Sequence, residues 1–284
     1  MTFETLVAPA SVADLTQAVL RGDYGPDPAG LHAVGAFWVR QSTQFPGTDT
    51  KYRNHYLVLR VESAFGGCCV ERDQLDPSAA EELSGRALAE LLRDPRTPVR
   101  IAALDAYLAL VRPHREQAGA EPRLLPHGTP LQRAQARDAA IASLLRIAPG
   151  MRVGLIGVVN PLVEAIRSHG GVCLPCDFNL EFTADGTEVA RDMRPVLAAA
   201  DLVIATGMTL SNGSFDEILA TLRARGVPLV VYAQTGSAIV PRFLGHGVAA
   251  VSAEPFPFSQ FSADPTPIHL YRAAGIGRGD ARAA

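Results

Sequence analysis

Three loops rich in glycine and polar residues follow apolar runs in the second half of this sequence, at residues 157–161, 206–214 and 234–237. Backbone N–H groups and hydroxyls at the start of a helix can hold an anion or a carboxylate, so each loop is a candidate ligand site. Helix capping is the alternative for the second loop, and an ordinary tight turn is the alternative for the first. The candidate ligand-binding residues are Gly157, Asn160, Thr206, Gly207, Thr209, Leu210, Asn212, Thr235 and Ser237.

A row of basic residues is the second candidate site. The chain has 26 lysine and arginine residues, and Lys51 is its single lysine. Lys51, Arg53 and His55 alternate along the sequence, so on an extended strand they share one face and can contact an anionic ligand. We therefore take Lys51 and His55 as candidate catalytic residues, with Lys51 as a base or Schiff-base nucleophile, and Arg53 as a ligand contact. The alternative is a solvated edge strand.

A C-x-x-C pair gives a third possibility. Cys173 and Cys176 have the spacing at which two thiolates can share a soft metal ion or form a redox pair. The alternative is that Cys173 is a small buried apolar residue and that Cys176 has no special role. Asp177 follows directly, about 20 residues after Gly157, where dinucleotide-binding folds place an acid that contacts the ribose.

The elements that must position these residues differ between the two halves of the chain. In the second half, strands are predicted at residues 152–157, 172–174, 202–205, 228–232 and 248–251, and helices separate most of them. This alternation predicts an α/β fold with a doubly wound parallel sheet, whose ligands bind at the carboxyl ends of the strands. The first half mixes strands at 36–40 and 55–62 with helices, and the proline-rich residues 112–130 are the predicted connection.

Composition excludes several classes of protein. The 284 residues carry a formal net charge of −3, so a strongly basic nucleic-acid-binding face is not expected. No apolar run approaches the length of a membrane helix, and the amino terminus lacks the features of a signal peptide, so we expect a cytoplasmic protein. Four cysteines are too few for a disulfide scaffold. Residues 276–284 are predicted to be a disordered tail.

Two longer segments carry a family resemblance. The sequences ATGMTLSNGSF (residues 205–215) and PLVVYAQTGSAIVPRFLGHGVAAVSA (residues 228–253) resemble the family named for heavy-metal chelation. The resemblance implies an enolase-N-like α+β domain at residues 1–125 and a Rossmann-like domain at residues 126–275. It also implies a cleft between the two domains and a role linked to a metal or a cofactor. Met208 and Gln234–Gly236 depart from the family pattern.

Three hypotheses follow. In the first, the interdomain cleft binds a small anionic molecule or a metal chelate, with a divalent metal ion as the candidate cofactor. In the second, the chain is a transferase or lyase that uses S-adenosylmethionine or a nucleotide and acts on a small molecule. In the third, the chain is a homodimer or partner-binding module with a contact surface around Phe256, Phe258 and Phe261. The phenylalanine-rich segment that contains them, residues 254–267, is expected to cover a neighbouring surface of the core, with a mobile lid as the alternative.

Overall fold

The computed structural model describes residues 8–47, 51–256 and 258–274. The predicted tail and the polar residues 48–50 lie outside the described residues. Within them the chain forms ten strands: β1 Ala33–Gln44, β2 Lys51–Val61, β3 Ala64–Val70, β4 Glu121–Leu125, β5 Arg152–Ile156, β6 Val172–Cys176, β7 Leu202–Thr206, β8 Leu229–Ala233, β9 Val248–Ala253 and β10 Thr266–Arg272. The longer α-helices are α1 Val12–Leu20, α4 Thr97–Val111, α5 Pro130–Ala142, α6 Asn160–Ser168, α7 Met193–Ala199 and α9 Phe215–Arg225. Single-turn helices are α2 Ala79–Leu83, α3 Leu88–Leu91, α8 Met208–Ser211 and α10 Phe258–Phe261. Short 3₁₀-helices lie at Pro28–Gly30, His114–Glu116 and Val240–Phe243.

The amino-terminal part is an antiparallel sheet in the order β1-β2-β3, covered on one face by α4. Strands β1 and β2 are longer than predicted, because their pairing continues through polar residues as far as Gln44 opposite Lys51. Gly66 on β3 lies directly against α4: a Cβ atom there would be 2.1 Å from the backbone nitrogen of Ala106. The sheet and the helix therefore pack at a separation that excludes any side chain at this position.

The carboxyl-terminal part is a seven-stranded sheet in the order β4-β10-β9-β8-β7-β5-β6. The five predicted strands, β5 to β9, are parallel, which confirms the α/β fold class. Strands β4 and β10 were not predicted. β4 lies inside residues 112–130, the predicted connection, and β10 begins at the end of the phenylalanine-rich segment, residues 254–267. The two strands pair with each other, and β10 is antiparallel to β9. Both contain proline and polar residues, so neither has the apolar run that marks a buried parallel strand.

The chain changes direction within this sheet at β5. From β5 it passes through α6 to β6 on one side, and after α7 it returns to β7 on the other side of β5. Helices α5 and α6 cover one face, while α7, α9 and the amino-terminal part cover the other. In such sheets the crevice outside the carboxyl ends of the two central strands is the usual ligand site. Here that crevice lies at the ends of β5 and β7.

The two parts of the chain meet at this same edge of the seven-stranded sheet. The backbone N–H of Gly236 donates to the carbonyl of Gly67 at 3.0 Å. The carboxyl group of Asp105 on α4 accepts the N–H of Gly67 at 2.9 Å and that of Ala238 at 2.8 Å. Asp105 is 3% exposed, so it joins β3, α4 and the loop after β8 inside the core.

The phenylalanine-rich segment covers the outer face of the three-stranded sheet. The ring of Phe256 is buried and stacks on Tyr56, with centroids 3.9 Å apart. Phe258 meets Phe65 edge to face at 5.1 Å, while Phe261 remains 67% exposed. Among the helices of the described residues, none combines the length and apolar character needed to cross a membrane.

Candidate functional site

A pocket opens at the ends of β5, β6 and β7, where the chain changes direction. We call it the switch-point pocket. Its empty space measures about 490 Å³, part of it open to solvent. Its lining comes from four segments of the carboxyl-terminal part and one residue of the amino-terminal part: Glu71, Ile156, Gly157, Cys176, Asp177, Phe178, Asn179, Met193, Thr206, Met208, Thr209, Asn212 and Ser214. The predicted residues brought together here are Gly157, Asp177, Thr206, Thr209 and Asn212, with Cys176 beside them.

Gly157 forms the floor of the pocket and has to be glycine. Its φ of +84° belongs to the left-handed region, and a Cβ atom would be 2.5 Å from Cγ2 of Thr206. The hydroxyl of Tyr232 donates to the Gly157 carbonyl at 2.9 Å, which ties the turn after β5 to β8. The tight-turn alternative for this glycine therefore describes its conformation, and Gly157 also lines the pocket.

The carboxyl group of Asp177 is held in a fixed position by backbone donors. Oδ2 accepts the N–H of Val158 at 2.9 Å, and Oδ1 accepts the N–H of Asn179 at 2.7 Å. These bonds join the loop after β6 to the turn after β5. Asp177 thus lies where the sequence predicts a ribose-binding acid, but both of its oxygens already accept a backbone donor.

The second loop folds into the short helix α8, and its polar side chains have both local and pocket contacts. The Thr209 hydroxyl donates to the Thr206 carbonyl at 2.7 Å. Oδ1 of Asn212 accepts the backbone N–H of Ser214 at 3.1 Å and its hydroxyl at 2.7 Å. Neither side chain caps α9 in the predicted way, because Ser214, its N-cap residue, makes no side-chain capping bond and Asn212 bonds to Ser214 in the preceding turn. Thr209, Asn212 and Ser214 all line the pocket.

Gly207 and Leu210 of this loop have packing roles. Gly207 lies so close to the third loop that a Cβ atom would be 2.5 Å from the Thr235 carbonyl oxygen. Leu210 is 2% exposed and faces away from the switch-point pocket, toward a second cleft described below.

Glu71 is the acidic lining residue that sequence reasoning missed. It follows β3 directly, so it reaches the pocket from the amino-terminal part. Burial raises the pKa of the Glu71 carboxyl, the nearby Asp177 carboxyl raises it further, and a hydrogen bond from Asn179 opposes both effects. The available signal was an acid directly after the short apolar run Cys68–Val70, but nothing in the sequence showed which part of the fold this run would meet.

The structure does not bring the C-x-x-C pair together. Both cysteines lie on β6, and residues three apart on a strand point to opposite faces. Cys173 packs with Val153 and Leu155 on one side of the sheet, and Cys176 packs on the other side. Burial raises the pKa of each thiol to about 11, so both stay protonated at neutral pH. Within the described residues no group of three or more histidine, cysteine, aspartate or glutamate side chains could hold a metal ion.

The basic row lies on β2 outside the pocket lining. Lys51 and Arg53 are exposed, and His55 is half-buried with its ring 5.9 Å from that of Trp38. His55 pairs with Val70, so β2 continues past the end of β3 on the side from which Glu71 emerges. The alternation along one strand is therefore present. No contact between Lys51 and Asn212 is found in the described part of the chain.

The remaining predicted residues have structural contacts. Thr235 and Ser237 are buried where the two parts of the chain meet, and the hydroxyl of Thr235 accepts the backbone N–H of Cys69 at 2.8 Å. Oδ1 of Asn160, at the start of α6, accepts the N–H of Ala184 at 3.0 Å. The third loop does reach the predicted edge of the sheet, but the amino-terminal part covers it there.

A second cleft lies on the other side of α8, and we call it the arginine cleft. Its empty space measures about 1170 Å³, and its lining includes Arg93, Arg100, Leu210 and Asp216. The guanidinium groups of Arg93 and Arg100 donate to backbone carbonyls, for example Arg93 to Ala89 at 2.9 Å. Basic residues thus line this cleft, whereas the switch-point pocket has two carboxyl groups and no lysine or arginine in its lining.

Comparisons with known proteins agree with this fold. The family model described as "Putative heavy-metal chelation" (DUF364) matches residues 139–253. A search among curated proteins found no relative similar in sequence. A DUF364 protein of unknown function from Desulfitobacterium hafniense matches in structure with a TM-score of 0.58 and 14% identity, over 91% of this chain and 97% of that one. A second such protein, from Pyrococcus horikoshii, matches with a TM-score of 0.54 and 14% identity, over 90% of this chain and 98% of that one.

A mandelate racemase/muconate lactonizing enzyme from Roseiflexus sp. is less similar, with a TM-score of 0.39 and 14% identity over 80% of this chain and 90% of that one. The two DUF364 structures, at 14% identity and TM-scores of 0.58 and 0.54, show a similar fold and nothing beyond it. The sequence match confirms the resemblance that the loop motifs indicated: the DUF364 family model matches residues 139–253 of this chain, and the two similar DUF364 structures have unknown function.

Proposed function

We propose that this protein binds a small ligand, either a metal chelate or another small cation, in the switch-point pocket. The observation that carries the proposal is the meeting of Glu71 and Asp177 in one pocket at the point where the chain changes direction. The two residues come from different parts of the chain and line the same pocket, so a ligand that fills the pocket would contact both. A pocket of this kind is the usual place for a ligand in an open α/β sheet.

The charge of the lining decides between the two ligand types that the sequence left open. A free anion would need lysine, arginine or unpaired N–H donors, but the pocket presents carboxyl groups to the ligand. A chelate brings its own metal ion, so it does not require the cluster of protein ligands that the described residues lack. The lining therefore favours a chelate over a free anion.

A blocked pocket provides the direct test. Asn179 is exposed at the pocket, and its backbone N–H, which holds Asp177, would remain after substitution. We expect the nickel–histidine complex or S-adenosylmethionine to raise the unfolding temperature of the wild type and to have no effect on Asn179→Trp. A ligand present at 100 times its Kd stabilises a protein by about 2.7 kcal/mol, which is easily measured. Equal shifts in both proteins would place binding elsewhere.

A second candidate function is an enzyme, a transferase or lyase, that uses S-adenosylmethionine. The arrangement that favours it is Gly157 in the turn after β5 together with Asp177 at the end of β6, the positions of the glycine turn and the ribose-binding acid in dinucleotide folds. In this proposal Lys51 and His55 would act from β2. Turnover of S-adenosylmethionine with a panel of small acceptors, lost in Lys51→Ala, would support it.

A further inference from the structure

We infer that the ligand of the switch-point pocket is an organic cation, such as an alkylamine or a sulfonium compound. This inference rests on the proposed function of the pocket and narrows it. S-adenosylmethionine, which carries both an amine and a sulfonium group, is one member of the class.

The first argument is an unbalanced pair of acids. Glu71 and Asp177 both line the pocket, and its lining contains no lysine or arginine side chain. Asp177 is fixed by two backbone donors and cannot turn away without breaking both bonds. Two carboxyl groups in one pocket favour a positively charged ligand. The missing positive charge is therefore expected from the ligand.

The second argument is against a resident zinc or calcium ion as the direct source of that charge. A structural zinc ion needs four protein ligands, and calcium takes about six to eight oxygen ligands. The pocket offers Glu71, whose carboxyl accepts a hydrogen bond from Asn179, and Asp177, whose two oxygens each accept a backbone N–H. The nearby Cys176 thiol stays protonated at neutral pH. The residues present therefore do not fit either ion.

The third argument is the apolar part of the same lining. Ile156, Met193, Met208 and Phe178 supply hydrocarbon, thioether and aromatic surface to the same pocket. Such a surface suits a carbon chain and disfavours a hydrated ion, and an aromatic face attracts an organic cation.

Hydrogen-bond acceptors lie close to both features. Because the hydroxyl hydrogen of Thr209 is donated to the Thr206 carbonyl, its oxygen can accept from a ligand N–H. The pocket thus combines negative charge, acceptors and an apolar surface, the three features that recognise an amine on a carbon chain.

The test uses calorimetric titration of the full-length chain with three classes of probe. Butylamine and S-adenosylmethionine represent organic cations, butyrate and citrate represent anions, and Zn²⁺ and Ni²⁺ represent metals. Glu71→Gln keeps the shape of the side chain and removes its charge, Asn179→Trp fills the pocket, and Glu164→Gln removes an exposed charge on α6 outside the lining. Circular dichroism and thermal unfolding without ligand establish that each variant is folded.

We expect at least one organic cation to bind the wild type. Its affinity should be about tenfold or more lower for Glu71→Gln and within about twofold of the wild-type value for Glu164→Gln. Asn179→Trp should show no measurable binding. Binding of a metal ion that is lost in Asn179→Trp, without binding of an organic cation, would overturn the inference and leave the proposed function standing. Binding of an anion alone would overturn both. If no probe distinguishes wild type from Asn179→Trp, both fall.

Discussion

The buried Asp105 provides a quantitative test of how the two parts of the chain are joined. Its two carboxyl oxygens accept backbone N–H groups from Gly67 and Ala238, one from each part. In Asp105→Asn the side-chain carbonyl oxygen can still accept one of the two backbone N–H groups, but the side-chain NH₂ group would face the other. One buried N–H would then lack an acceptor, so we expect a loss of about 1–3 kcal/mol from this bond.

The direction of the pH dependence of stability follows from the pKa of Asp105. Burial raises the pKa of Asp105 to about 7, although the two N–H groups act in the opposite direction. Since the folded-state pKa lies above that of the unfolded chain, the contribution of this group to stability is complete below about pH 4. It is lost as the pH rises to 7. At about 1.4 kcal/mol for each pH unit, the wild type should lose about 3 kcal/mol between pH 5 and pH 8 through this group.

Urea unfolding at pH 5 and pH 8 measures the effect. Other titrating groups cancel when the wild type is compared with Asp105→Asn at each pH, because asparagine does not titrate. The stability of the variant relative to the wild type should therefore rise by about 3 kcal/mol between the two pH values. Glu164→Gln, on the exposed side of α6, is the control and should show no such change. A change below about 0.5 kcal/mol for Asp105→Asn would refute the reasoning.

Four further predictions follow. Gly66→Ala should lower the free energy of unfolding by about 3 kcal/mol in the same urea assay, because the added methyl group meets the backbone of α4. The control is Gly30→Ala, where a Cβ atom would have no neighbour within 4 Å, and it should change the free energy of unfolding by less than about 1 kcal/mol. Cys176→Ser should leave Zn²⁺ affinity unchanged in a titration against a fluorescent chelator, because its protonated, buried thiol is not a ligand. A cation that binds beside Glu71 and Asp177 should bind more tightly as the pH rises through the raised pKa of Glu71, and calorimetry at pH 5 and pH 8 in Glu71→Gln should show a weaker dependence. Light scattering tests the predicted homodimer, and a monomer at all concentrations would contradict it.

The sequence was most informative where local pattern and fold coincide. The apolar runs of β5 to β9 are typical of strands buried on both faces, so periodicity sufficed to predict the parallel sheet. The loop residues Gly157 and Thr206 then reached one pocket because parallel strands end at the same edge. These parts depended on rules that hold within a single sheet.

What sequence reasoning missed depends on contacts between distant segments. β4 and β10 are recognisable as strands through their pairing with each other, which no local pattern encodes. Glu71 enters the pocket because α4 and Asp105 fix β3 against the loop after β8. The same packing buries Thr235, which the sequence predicted as a ligand contact. The spacing of the two cysteines was compatible with a shared metal ion, but on a strand it places them on opposite faces.

The most direct test of the central claim is the mass spectrum of the small molecules released when the purified protein is denatured. The account predicts that the wild type releases a small organic molecule with a positive charge, and that Asn179→Trp, whose larger side chain fills the pocket, does not. Release of the same molecule in equal amount from both proteins would contradict the claim that the switch-point pocket is the binding site.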